Sequence, residues 1–159
     1  MAAHASMNTS VTAVARNGMR STLALAVCSM LSACSLVMDS SFDTQQQAID
    51  ADMVNKGWIP DWVPHEATDL REVHDLDSNT SALAFAKPPA IPLQLPADCQ
   101  ATTFNNSNPV AFNRHWWPSN ATLSASYRVF RCAPESRKSV FVAINRTEGR
   151  VLFWRTYAR

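Results

Sequence analysis

An apolar run close to the N-terminus divides this chain in two. Thr22-Leu23-Ala24-Leu25-Ala26-Val27-Cys28-Ser29-Met30-Leu31 follows the basic residues Arg16 and Arg20 and is closed by Ser32, Ala33 and Cys34. A transmembrane helix needs about 20 apolar residues to cross the hydrocarbon core. This run is far shorter and carries Thr22 and Ser29. Its length and basic flank suit the apolar core of an export signal rather than a stable span. The expected organisation is a signal peptide over 1–33 and a mature chain from Cys34 to Arg159. Met19-Arg20 would open a compact signal by itself, which makes Met19 the alternative start.

The mature chain has room for one small domain and a tether. Residues 34–56 read as a lipidated tether with a short helix, and 57–159 as a single globular domain. The whole sequence holds only 3 Gly but 9 Pro, which points to rigid loops rather than a nucleotide-binding fold. Net charge is +1, which gives no global electrostatic case for nucleic acid. The charges are nonetheless segregated. Acids dominate from Asp39 to Asp77, and bases dominate from Arg114 to Arg159. Either the two halves pair across one sheet, or the second half forms a basic face for anionic lipid, glycan or a partner.

Leu31-Ser32-Ala33-Cys34 resembles the lipobox of bacterial lipoprotein signal peptides. The resemblance implies acylation of Cys34, cleavage just before it, and attachment to the membrane through that lipid. Ser35 follows in place of Asp, which resembles an outer-membrane address facing the periplasm. Cys28 is the rival acylation site, but Val27 stands before it where a small residue is favoured. It is read as discarded with the signal. Cys99 and Cys132 are then the remaining cysteines of an exported chain and are expected to form a disulfide. Closing a loop of about 30 residues would contribute about 3–4 kcal/mol on chain-entropy grounds.

Five segments read as strands: 67–76, 81–86, 127–132, 139–144 and 150–155. The first two flank the turn residues Asp77-Ser78-Asn79, and the last two flank Thr147-Glu148-Gly149. Residues 43–55 suit a weakly amphipathic helix, with Asp43 as its cap and Gly57 as its stop. Residues 87–96 are proline-rich and extended. Residues 97–119 read as a long loop whose aromatics tuck onto the sheet. The expected fold class is α+β, mostly β: an antiparallel sheet of about five strands, little helix and long proline-rich loops.

Candidate binding residues lie in two places. Trp58 and Trp62 sit on the kinked segment Gly57-Trp58-Ile59-Pro60-Asp61-Trp62-Val63-Pro64, as a recognition edge or as a plug over the core. His74, Asp75, Asp77 and Asn79 concentrate polar donors in the acidic hairpin. Asp75, Asp77 and Asn79 mimic the start of a calcium loop, but Thr80 stands where the turn needs Gly and Ala86 where a bidentate carboxylate is needed. No nucleophile elbow or metalloprotease helix is present. The Trp-Pro segment, with Ala67-Thr68-Asp69-Leu70, Glu72 and His74-Asp75-Leu76-Asp77-Ser78-Asn79, resembles an uncharacterised family of small bacterial envelope proteins and lipoproteins. That resemblance implies an envelope location and no catalytic residue. The functional expectation is a non-enzymatic binding or assembly module for an envelope protein or glycan, without cofactor. The alternative is an envelope hydrolase or divalent-metal binder built on the His74 hairpin.

Overall fold

The computed structural model describes residues 36–104, 110–132, 138–147 and 149–157. The expected signal peptide, the alternative start at Met19 and the expected acylation site Cys34 lie outside the described residues. Among those described, no helix is long and apolar enough to cross a membrane.

The centre of the fold is an antiparallel sheet. Its strands are β1 (Val37–Thr44), β2 (Thr68–Asp75), β3 (Ser81–Ala86), β4 (Gln100–Thr102), β5 (Tyr127–Cys132), β6 (Lys138–Asn145) and β7 (Arg150–Tyr157). Their spatial order is β1-β2-β3-β7-β6-β5-β4. The sheet therefore has seven strands rather than the five expected. The two additional strands are its edges. β1 falls where a tether was expected, and β4 is only three residues long.

Both faces of the sheet are covered. On the first, Leu70, Leu83, Phe85, Val142, Val151 and Phe153 pack under Ala48, Met53, Ile59, Val63 and Ala67. Helix α1 (Gln45–Asp50) begins this cover, with Thr44 rather than Asp43 as its N-cap. The buried Gln45 donates from Nε2 to the Val63 carbonyl at 3.2 Å, which ties the helix to the Trp-Pro segment. Within residues 45–56, Gln45, Ala48 and Met53 are buried and most of the others are exposed. On the second face, Val73, Ala82, Ala84, Phe141, Ala143, Leu152 and Trp154 pack against Leu123 and the aromatics of the long loop. Leu123 lies on helix α2 (Asn120–Ser126), whose Ser119 cap accepts from Thr122 N. Phe104, Trp117 and Phe141 surround Trp154 with ring centroids 6.4, 5.8 and 5.0 Å away. Offset and edge contacts of this kind add to area burial.

Cys99 and Cys132 are joined by a disulfide at a sequence separation of 33. It pins the end of the proline-rich crossing to the end of β5. The segregated charges also meet. Arg114 grips Asp39 through Nε and a terminal nitrogen at 2.7 and 2.8 Å, and Arg150 reaches Asp69 at 2.7 Å. In each pair an acid of the first half meets a base of the second.

Candidate functional site

The site is set by a one-residue slip in β2. Thr68 pairs with Ala86, but Arg71 pairs with Ala84, so an extra residue lies between them. Asp69 takes a left-handed conformation at φ 47° there, with its carboxylate held by Arg71 and Arg150 at 2.9 and 2.7 Å. A bulge of this kind reverses which side chains face which layer. Beyond it, Glu72 lies opposite Leu83 and His74 opposite Ser81. An acid and an imidazole are thereby turned inward, onto the face that carries Leu83 and Phe85.

The two side chains meet there. His74 Nδ1 is 3.0 Å from both carboxyl oxygens of Glu72. Their side chains are 5% and 0% exposed. Burial pushes the Glu72 carboxyl up to about 8, reinforced by Asp39 and opposed by Arg155. Burial also holds His74 below its ordinary value, with Arg155 acting in the same sense. Both directions favour a neutral pair over an ion pair, because a low-dielectric setting penalises each charge. In that state the Glu72 hydroxyl donates to Nδ1, and the imidazole proton sits on Nε2.

Trp58 closes the pair from above. Its ring stacks on His74 at 3.9 Å and 11° between planes. The Arg155 guanidinium lies 5.4 Å from the Trp58 ring centroid and donates to the Gly57 carbonyl and Ser81 Oγ, both at 3.3 Å. His74, Ser81 and Arg155 are in register across β2, β3 and β7, so one row of the sheet builds the whole arrangement. Trp62 lies farther along the same layer, 6.3 Å from Phe85 and 6.1 Å from Phe153.

Residues 37–86 match the family model of the YbbD head domain. This is a bacterial family. The matched segment runs from β1 to β3 and includes α1, the Trp-Pro cover and the Glu72–His74 pair, but less than half of the chain. No curated protein and no solved structure matches.

Within the matched segment, the residues grouped by sequence are placed apart. Trp58, Trp62 and His74 belong to the packed layer. Asp75 is spent on the hairpin turn, where its oxygens accept from Asp77 N at 2.9 Å and Ser78 Oγ at 2.8 Å. The Ser78 hydrogen bond leads the effects that hold its carboxyl below the usual range. Asn79 supplies a left-handed turn position at φ 54°, and Asp77 and Asn79 are exposed. Among the described residues, no group of three or more His, Cys, Asp or Glu is arranged to hold a metal ion. Arg155 and Ser81 carry no sequence signal that joins them to His74, because that juxtaposition depends on the β3–β7 pairing. Glu72 was detectable through its two-residue spacing from His74, which puts both on one face of a strand.

The accessible clefts are elsewhere. One of about 450 Å³ is lined by Thr102, Phe104, Leu123, Tyr127, Arg128 and Arg146. A neighbour of about 330 Å³ is lined by Lys87, Pro89, Leu93, Arg128, Arg146 and Thr147. Arg128 and Arg146 border both and are exposed.

Proposed function

We propose that this chain is a lipid-anchored protein of the bacterial envelope whose domain binds or assembles another envelope component and does no catalysis. The closed Glu72–His74 pair carries the reading. The best acid–base couple of the hairpin is locked under Trp58, away from any substrate. Catalytic acids and bases must reach the proton they move. Anchorage through Cys34 is supported by the charge, length and closing residues of the N-terminal run, and the periplasmic face of the outer membrane by Ser35.

The basic clefts are the partner surface in this reading. Arg128 and Arg146 are exposed on one rim, and Lys87 extends that rim. Clustered cations of this kind suit an acidic protein segment and speed its encounter. A photocrosslinking side chain placed at the exposed Thr147 in the full chain, in its native envelope, tests the proposal. The expected result is a discrete crosslinked envelope protein. Crosslinks indistinguishable from those of a probe at the exposed Asp50 would overturn it.

A further inference from the structure

Three large apolar side chains stand out among the described residues: Leu36, Met38 and Leu76, at 44, 50 and 52% exposure. They form one patch. Val37 pairs with Asp75 and Met38 with His74, and the Leu76 N–H donates to the Leu36 carbonyl at 3.0 Å. Leu36 therefore lies opposite Leu76. Alternation turns Met38 and His74 to one face, and the Leu76–Leu36 hydrogen bond continues the ladder one residue beyond each strand, which sets Leu36 and Leu76 beside them. Trp58 covers the His74 corner of this square and is itself half-buried. Charges of both signs surround it: Arg155, Asp39, Asp75 and Lys56 all lie near enough to act electrostatically on His74, and Lys56 has Asp52 at 3.9 Å.

A patch this exposed on a domain with two covered faces calls for an occupant, and the sequence names one. Only Ser35 separates Leu36 from Cys34. Two residue steps span at most about 7 Å. An acyl anchor at Cys34 thus holds the patch at the level of the lipid headgroups, where association is effectively intramolecular. Leu and Met beside Trp also suit the bilayer interface.

We infer that Leu36, Met38, Leu76 and the outer edge of Trp58 seat the domain on the lipid bilayer that carries the Cys34 anchor. The inference rests on that anchor, proposed above, and adds an orientation to it. The open edge of β1 lies against the membrane surface, and the basic clefts face away.

Leu76→Cys provides the test. In the mature chain Cys34 is acylated and Cys99 is bonded to Cys132, so the new thiol is unique. The full lipoprotein, spin-labelled there, is reconstituted in vesicles of phosphatidylethanolamine and phosphatidylglycerol. Collision rates with oxygen, which enters lipid, and with a water-soluble nickel chelate are compared with those of a label at Ser124→Cys. The mass of the Cys34 peptide reports acylation separately. The expected oxygen-to-nickel ratio is several-fold higher at position 76. Equal ratios on acylated protein would overturn the seating and leave the anchor standing. Protection from both reagents would assign the patch to a second copy and overturn the lipid. A Cys34 peptide without acyl groups would remove the anchor, and the seating with it.

Discussion

Glu72 is a carboxyl group with no exposed side-chain surface, beside an imidazole rather than a cation at hydrogen-bonding distance. It keeps its proton until about pH 8 in the folded chain, whereas the unfolded chain releases it near 4.5. A raised acid contributes stability that is complete below the unfolded value and is lost as pH climbs through the folded one. His74 is shifted the other way, so its contribution is present above 6.5 and lost as pH falls below that. The two oppose each other just below 6.5, and Glu72 acts alone from 6.5 to 8. In that window stability should fall by about 1.4 kcal/mol per pH unit, the slope for one proton. Glu72→Gln keeps a donor for Nδ1 and has nothing to ionise. Urea unfolding at several pH values should show this decline in the parent chain and a nearly flat profile in the variant. A parallel decline in both would mean that Glu72 does not carry the proton.

The hairpins show why some elements were readable and others not. β2, β3, β5, β6 and β7 bury alternating or continuous apolar residues, and that pattern is visible without any coordinates. β1 reads Val-Met-Asp-Ser-Ser-Phe-Asp-Thr, an edge strand with one covered face and acids that guard the other. Nothing local separates it from a tether. β4 is too short to leave a periodic signal. The bulge at Asp69 was invisible for a different reason. It depends on the pairing between β2 and β3, and it alone decides that Glu72 and His74 face inward. The last hairpin has an equally specific demand. Gly149 sits at φ 65° with its carbonyl bonded to Lys87 N, and an added Cβ would lie 2.5 Å from the Lys87 carbonyl oxygen. Gly149→Ala should therefore cost about 2 kcal/mol or more, from the left-handed backbone and the clash together. A lowered melting temperature checks this, and an unchanged one would mean that the proline-rich crossing shifts freely. Reducing the Cys99–Cys132 bond removes a different restraint. It should lower stability by about 2–4 kcal/mol, read as a shift of the thermal transition with and without reductant.

Across the whole sheet, β1 and β5 are five strand spacings apart, roughly 24 Å at the usual inter-strand distance. The apolar patch flanks β1, and Arg128 stands on β5 with Arg146 just beyond β6. A domain seated through β1 would hold the basic clefts clear of the headgroups, where an acidic partner can reach them. This separation makes the two surfaces independently testable. Arg128→Glu combined with Arg146→Glu reverses the charge of the clefts without touching the core, the proposed anchor or the Glu72–His74 pair. Both side chains are exposed, so each change should alter stability by no more than about 0.5 kcal/mol. Membrane retention of the full chain should also be unchanged. Crosslinking to the proposed envelope partner should drop sharply, and crosslinking by the parent chain should weaken as salt screens the same charges. A doubly reversed chain that still crosslinks as the parent does would move the partner surface off the clefts.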